Sequence, residues 1–347
     1  MSNKHLHVLD DSIKESILNL AAKGAQKGIP TGFNELNEIY TLKEGSTTYV
    51  VASPHSGKTQ FAVEIMVNTA EYSDWNWLVY SPETGSPADV FSELMWAYLK
   101  KPIVKNDKVP YASPAELERA FDYVRKHFFI IDGGIQSTTV QDVYRVCDDL
   151  LEMGKKIDGV LIDPFTEIDM GANDSGRDDI QLGNTLTLIR KYSSDHGIHT
   201  MVTVHTKFQQ PMMGKSVLDP TKKIVYYPKA DYNSIAGGQM WSRKGMMIVT
   251  LWRCPYGMAD DNGVPYEKNQ VEVSVIKAKP KAVGKIGSMF LFYDYIQNRS
   301  STEDEPGWAL QSTTFISDND ALQSPPLSNN ESASFSAEVN GPGFMTF

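Results

Sequence analysis

The chain has 347 residues, 41% of them hydrophobic, and carries a formal net charge of −10 and two cysteines, Cys147 and Cys254. Two cysteines exclude a disulfide framework and favour a reducing compartment, and the sequence shows neither an apolar run near the roughly 20 residues of a membrane span nor a signal-peptide core. These features predict a soluble, cytoplasmic protein that is long enough for one large domain with appendages or for two smaller domains.

Residues 10 to 22 are predicted to form an amphipathic helix. Ser12 and Glu15 have the spacing of a capping box, and the apolar side chains that follow recur at helical intervals. These apolar residues are Ile13, Ile17, Leu20 and Ala21. The apolar face must dock on another surface, which is either its own domain or a neighbouring subunit. Residues 1–30 are therefore interpreted as a linker helix with a lead-in segment.

From there the chain alternates short β-rich runs with helical patterns. The predicted strands are residues 47–53, 77–81, 128–132, 159–163 and 200–205. The predicted helices are residues 58–72, 87–101, 114–127, 139–153 and 180–195. Strands that alternate with helices form a parallel sheet covered on both faces, because parallel neighbours need long crossover connections. The predicted fold class is α/β, with a mainly parallel central sheet flanked by helices.

The pattern changes after about residue 245. The runs "MMIVTLWR", "QVEVSVIKAK" and "GSMFLFYD" are separated by short turns, which predicts an antiparallel extension at one edge of the sheet. Residues 31–298 are thus expected to form one ATPase-type domain. Residues 299–347 are rich in Ser, Asn and Pro, and the region from 300 onward has seven acidic residues but no Lys or Arg. This composition predicts a disordered acidic tail.

The segment "ASPHSGKT" has the pattern of a phosphate-binding loop. It follows a β run and opens a helix, so that backbone N–H groups and the helix amino terminus face the phosphates. Lys58 is expected to reach the β and γ phosphates of ATP, and the Thr59 hydroxyl to bind Mg²⁺. Ala52 replaces the usual first glycine, which is tolerable if its φ stays negative. The predicted nucleotide-binding residues of this loop are Ser53, Pro54, His55, Ser56, Gly57, Lys58, Thr59 and Gln60.

Three further polar residues end predicted strands. Asp163 closes "GVLID" and is expected to face the Mg²⁺ shell, because ligands bind at the carboxyl ends of parallel strands. Glu83 follows "WLVYS", where a carboxylate can orient and deprotonate the attacking water; alternatively, it is only an acid near a helix start. His205 ends "TMVTVH" and is either a γ-phosphate sensor or a structural histidine.

Together these motifs resemble the RecA-like P-loop motor domain of DnaB-type replicative DNA helicases, over about residues 12–297. The segment "HGIHTMVTVHTKFQQP" is more similar to the phage and mitochondrial, Twinkle-type branch. The resemblance implies a ring, usually a hexamer, with each ATP site between subunits. It implies Glu83 as the water-activating catalytic residue and His205 as the phosphate sensor. It also implies that the linker helix packs on the next subunit.

The stretch "VIKAKPKAVGKIGSMFLFYD" resembles the family segment whose Lys-x-Arg pair reaches the neighbouring subunit's ATP site. Lys277 matches the first position, but Lys279 stands where the arginine finger is expected. Lysine supplies charge without the planar fork of arginine. Three interpretations remain open: Lys279 acts with poorer geometry, another cation such as Arg253 or Lys281 replaces it, or hydrolysis is weak.

A basic loop follows His205. Residues 206–230 contain five lysines and one acidic residue, Asp219, which predicts a salt-dependent grip on single-stranded DNA inside the ring. The lysines are Lys207, Lys215, Lys222, Lys223 and Lys229. The first four are the predicted DNA-binding residues. The alternative is a solvated surface loop.

The sequence thus predicts an ATP- and Mg²⁺-dependent, ring-forming replicative DNA helicase, with a possible primase or polymerase docking on the tail. Two alternatives differ in class. The first is a RecA-like recombination or repair ATPase that forms filaments on DNA. The second is a nucleotide-switched DNA-binding scaffold or loader that does not unwind.

Overall fold

The computed structural model describes residues 10–24, 27–105, 108–134, 137–171, 178–235 and 237–302. The strands of this part of the chain are β1 Thr47–Ala52, β2 Trp77–Tyr80, β3 Phe128–Ile131, β4 Gly159–Ile162, β5 His199–His205, β6 Met212–Lys215, β7 Lys223–Tyr226, β8 Met247–Arg253, β9 Gln270–Lys277, β10 Gly287–Asp294 and β11 Arg299–Ser301. The helices are α1 Asp11–Lys23, α2 Asn34–Asn37, α3 Lys58–Ser73, α4 Pro87–Leu99, α5 Pro114–His127, α6 Val140–Glu152, α7 Asp178–His196 and α8 Gly238–Lys244.

Nine of these strands form one sheet in the order β11-β10-β9-β8-β1-β5-β4-β2-β3. The strands from β3 to β8 in this order are parallel to their neighbours, and β9, β10 and β11 are antiparallel. The predicted α/β fold with an antiparallel edge is confirmed. One detail differs: β8 is parallel to β1 because α8 supplies its crossover, so the antiparallel edge begins at β9 and not near residue 245.

Helices cover both faces of the sheet. Along β1, the Val50 side chain belongs to the core under α3, α4 and α5, whereas Tyr49 and Val51 belong to the core under α6, α7 and α8. This alternation follows from the two-residue period of a strand. The strand is apolar throughout because both of its faces are buried.

Helix α1 forms where the apolar pattern predicts it, but its cap differs. Asp10, rather than Ser12, is the N-cap residue, and its carboxylate accepts from the backbone N–H of Ile13 at 2.8 Å. Ile17, Leu18 and Leu20 remain 52%, 58% and 53% exposed. The helix therefore does not bury its apolar face against the described part of its own chain.

The last strand corrects the predicted domain boundary at residue 298. Arg299–Ser301 pairs with β10 as part of the sheet, and Arg299 is 1% exposed. Glu64 of α3 accepts from the backbone N–H and hydroxyl of Ser300, both at 2.7 Å, and Arg299 donates to Asn68. The core domain thus includes β11, and the predicted disordered tail beyond residue 302 lies outside the described residues.

Among the residues that the structure describes, no helix combines the length and apolarity needed to cross a membrane.

Candidate functional site

The loop between β1 and α3 has the backbone of a phosphate cradle. Gly57 adopts a left-handed conformation with φ of 84°, and His55 one with φ of 61°. Ala52 is the last residue of β1 and does not have a positive φ, so its methyl group costs no backbone strain. Gly57 caps α3 without a side-chain hydrogen bond, which leaves the first N–H groups of a 16-residue helix for a ligand.

Lys58 lies at the centre of this cradle. It is 6% exposed, and its ammonium donates to the backbone carbonyls of Ala52 at 3.3 Å and Ser53 at 3.2 Å. Burial lowers the pKa of Lys58 to about 8, although the carboxylates of Asp163 and Glu83 act in the opposite direction. The side chain is therefore a preoriented cation at neutral pH, held by carbonyl oxygens rather than by a carboxylate.

Asp163 is held in a row of polar groups across three strands. Ser81, Asp163 and Thr203 each follow a residue that is paired in register across β2, β4 and β5. Asp163 is 1% exposed; one carboxylate oxygen accepts from Ser81 Oγ at 2.8 Å and the other from Thr203 Oγ1. Sequence reasoning missed Ser81 and Thr203, although both are polar residues at the ends of apolar runs.

Glu83 and His205 form a pair beside this row. Glu83 lies in the turn after β2 with its side chain 58% exposed, and His205 ends β5 with its side chain 24% exposed. His205 Nε2 lies 3.4 Å from Glu83 Oε2. The structure thus brings together Lys58, Glu83, Asp163 and His205 at the carboxyl edge of the sheet.

Arg253 lies at the same edge, at the end of β8. One guanidinium nitrogen donates to the His55 carbonyl at 3.4 Å and the other to the Tyr295 hydroxyl at 2.9 Å. Arg253 therefore contacts its own phosphate loop, so it does not match the sequence-based alternative of a finger for a neighbouring subunit. Gln60 also turns toward this edge, since its Nε2 donates to the carbonyl of Asn298 at 2.9 Å.

Lys277 and Lys279 lie elsewhere. Lys277 ends β9 and pairs in register with Ile248 at the beginning of β8, whereas Ala52 of β1 pairs with Leu251 near the end of β8. The two lysines are therefore at the amino-terminal edge of the parallel strands, away from Lys58. Lys277 donates to the Ser242 carbonyl, and burial, followed by the charge of Lys279, lowers the pKa of Lys277. Neither lysine serves its own chain's phosphate loop.

The basic loop after His205 contains a hairpin. Strands β6 and β7 pair antiparallel, and Lys215 lies directly opposite Lys223. Lys222 lies 3.6 Å from Asp219 with 75% of its side chain exposed. Like charges at directly opposite positions destabilise a strand pair, so the exposed face of this hairpin is suited to a polyanion.

The hairpin is attached to the sheet through several contacts. Val217 N–H donates to the Gly257 carbonyl at 2.8 Å, and Trp252 Nε1 donates to the Tyr227 carbonyl at 2.7 Å. Lys229 adds another attachment, since it donates to Glu272 and lies over the Trp252 ring. Lys229 is thus a structural cation, unlike Lys215 and Lys223, whose residues are exposed.

The sheet order and the strand-end site can be compared with known proteins. The ATPase domain of a phage helicase aligns with a TM-score of 0.62 at 18% identity, over 84% of this chain and 99% of that domain. A DnaB-like replicative helicase, described with its interactions with primase, aligns with a TM-score of 0.62 at 17% identity, over 86% of this chain and 68% of that one. The chain has the fold of a DnaB-like helicase ATPase domain.

The sequence points to the same DnaB-like group. The chain is 24% identical over 290 residues to the Twinkle homolog protein, chloroplastic/mitochondrial, of Arabidopsis thaliana. This match covers 82% of the chain but 37% of the relative, so the chain spans well under half of that protein's length. No protein-family model matches the chain. The resemblance to the DnaB-like ATPase domain is thereby confirmed.

A DnaB-like ATPase fold implies bound ATP and Mg²⁺, and the residues at this edge fit both groups. The Lys58 ammonium donates to neutral carbonyl oxygens, so phosphate oxygens can compete for it with the advantage of charge. The Thr59 hydroxyl and the Asp163 carboxylate are hard oxygen donors, which Mg²⁺ prefers. The donor set therefore suits a magnesium–phosphate ligand.

Proposed function

We propose that this protein is an ATP-dependent, ring-forming replicative DNA helicase of the DnaB-like group, which translocates on single-stranded DNA and unwinds duplex. One observation carries the proposal: Lys58, Glu83, Asp163 and His205 come from four separate strand ends and meet at one edge of the sheet. A phosphate cradle, a buried carboxylate and an exposed carboxylate–imidazole pair are the parts that ATP hydrolysis requires. The two cysteines favour a cytoplasmic location.

Each residue has a defined part in hydrolysis. Lys58 and the first N–H groups of α3 bind and orient the phosphates. Mg²⁺, held by Thr59 and Asp163, would neutralise phosphate charge. Glu83 has 58% of its side chain exposed, so it can accept a proton from a water molecule positioned beside the terminal phosphate. His205, 3.4 Å from Glu83, links that carboxylate to the basic hairpin that follows it.

The hairpin supplies the DNA contact in this proposal. Lys207, Lys215, Lys222 and Lys223 would bind the phosphates of a single strand, with an affinity that falls as salt rises. In a hexamer, copies of the hairpin would line a central channel. Lys277 and Lys279 lie at the opposite edge from their own phosphate loop, where they can face the ATP site of a neighbouring subunit.

The tail that follows β11 is proposed to bind a primase or a polymerase. A DnaB-like helicase with similar structure was described with its interactions with primase. The region after residue 300 is acidic, which suits a basic docking surface on such a partner.

One observation favours a second candidate, a nucleotide-switched DNA-binding scaffold or loader. Lys279 stands where the family's arginine finger is expected, and Lys277 is tied to the Ser242 carbonyl of its own chain. A lysine lacks the bidentate geometry of arginine, so a chain of this kind could bind ATP and DNA with slow turnover.

A fork-unwinding assay distinguishes the two candidates. The parent protein is expected to displace a strand from a forked duplex with ATP and Mg²⁺, and Glu83→Gln to bind ATP and DNA without displacement. Electron microscopy of the same samples should show closed rings, whereas filaments would favour a recombination ATPase. A parent that binds both ligands but displaces nothing would refute the helicase proposal and favour the switch.

A further inference from the structure

The phosphate loop has a side-chain contact that serves neither phosphate binding nor water activation. Ser53 Oγ donates to Gln209 Oε1 at 2.8 Å, across 156 positions of chain. Ser53 is 6% exposed, and Gln209 lies on the segment between His205 and the hairpin. The loop that holds ATP and the segment that leads to the hairpin are therefore joined directly.

Gln209 also contacts the point where the chain returns from the hairpin. Its Nε2 donates to Ser234 Oγ at 3.3 Å. The Lys207 N–H donates to the Ser234 carbonyl at 2.7 Å, and Thr206 bridges Ile235. Both ends of the excursion 206–235 thus meet at one base, and the Gln209 amide connects this base to the phosphate loop.

The phosphate-loop end of this contact is placed to respond to nucleotide. Lys58 Nζ donates to the Ser53 carbonyl at 3.2 Å, so Ser53 is bound by the cation on its backbone and bonded to Gln209 through its side chain. Phosphate oxygens compete for the Lys58 ammonium. A change in the Lys58 contacts therefore acts on Ser53, and through Ser53 on Gln209.

We propose that Gln209 is a positioning residue that couples the nucleotide state of the phosphate loop to the hairpin, and DNA on the hairpin to the rate of ATP hydrolysis. The inference rests on the proposed function, because it requires ATP at the loop and single-stranded DNA at the hairpin. Such coupling is reciprocal: nucleotide must alter DNA affinity by the factor by which DNA alters nucleotide affinity.

The test compares the full chain with Gln209→Ala, and uses Gln210→Ala, a change at the exposed neighbouring residue, as the matched control. ATP hydrolysis is measured with and without saturating oligo(dT). Oligo(dT) affinity is measured by fluorescence anisotropy, without nucleotide and with a non-hydrolysable ATP analogue. Gln209→Ala is expected to keep basal hydrolysis within about twofold, to lose most of the DNA stimulation, and to bind oligo(dT) equally in both nucleotide states. Gln210→Ala should match the parent.

Ser234→Ala removes the other end of the same connection. If Gln209 acts through Ser234, the double variant should lose no more stimulation than either single variant, because both changes break one path. Parental stimulation in Gln209→Ala would overturn the proposal. So would an equal loss of DNA affinity in both nucleotide states, since that result indicates only structural support of the hairpin. A parent and control that both lack DNA stimulation would overturn the helicase function itself, and the coupling with it.

Discussion

His205 Nε2 lies 3.4 Å from Glu83 Oε2, over the end of β4, the strand that carries Asp163. Strand β4 separates the strands of the two residues in the sheet. The contact thus connects the residue that activates water with the first residue of the segment leading to the hairpin, and it defines what each side chain should contribute.

Replacing Glu83 by Gln should lower basal and DNA-stimulated hydrolysis together, by roughly 10²- to 10⁴-fold, because the proton acceptor is lost. His205→Ala should leave most of the basal rate and remove the DNA stimulation, since the imidazole links the carboxylate to the hairpin. Phosphate release with and without oligo(dT) measures both effects. Equal losses of basal and stimulated rate in His205→Ala would contradict the sensor role.

Nucleotide affinity should depend on the protonation of Lys58. Its pKa of about 8 in the free protein means that ATP binding must take up a proton once the pH exceeds 8. Affinity is therefore expected to be constant between about pH 6.5 and 7.5 and to fall by up to about tenfold per pH unit above 8. A fluorescent ATP analogue titrated across this range measures the slope.

Lys58→Arg is the control for this pH dependence. A guanidinium stays charged throughout the range, so the variant should bind more weakly but with a flat profile. The lowered pKa also affects folding: between about 8 and the ordinary value of 10.5 the unfolded chain holds more protons, so the free protein should gain stability as pH rises. A steep profile in Lys58→Arg would assign the effect to another group.

The three hairpin lysines Lys215, Lys222 and Lys223 should control DNA-stimulated hydrolysis. Changing all three to Gln is expected to leave the basal rate and to reduce the salt dependence of oligo(dT) binding by about two in the log–log slope, at roughly 0.7 per phosphate contact. Lys229→Gln is the contrast, because this lysine binds Glu272 and its loss should lower the melting temperature instead. Equal losses of basal and stimulated rates in the triple variant would exclude the hairpin as the DNA contact.

The link between β11 and α3 should be a large stability term. Arg299 and Glu64 are both 1% exposed, so Arg299→Met leaves a buried carboxylate without its cation and should cost about 3–5 kcal/mol in the free energy of unfolding. Lys27→Met breaks the exposed pair with Glu38 and should cost about 1 kcal/mol or less. Urea unfolding compares the two variants. Adding Glu64→Gln to Arg299→Met should recover part of the loss.

The sequence alone determined the central elements and most of the nucleotide site. Apolar runs of four to seven residues, each followed by a polar residue, predicted the five strands β1 to β5, and strand–helix alternation predicted their parallel pairing. Parallel strands share one carboxyl edge. Local pattern was therefore enough to expect Lys58, Glu83, Asp163 and His205 at that edge.

Only the tertiary structure decided how these residues are supported and which cations are excluded. Ser81, Thr203 and Gln209 depend on register and on contacts up to 156 positions apart, which no local period encodes. The same holds for Lys229 and Arg253, whose charges looked free in the sequence but are used by Glu272 and the phosphate loop. A sequence shows where charge lies along the chain; the fold decides which charges meet, because pairing is set by sheet order and burial.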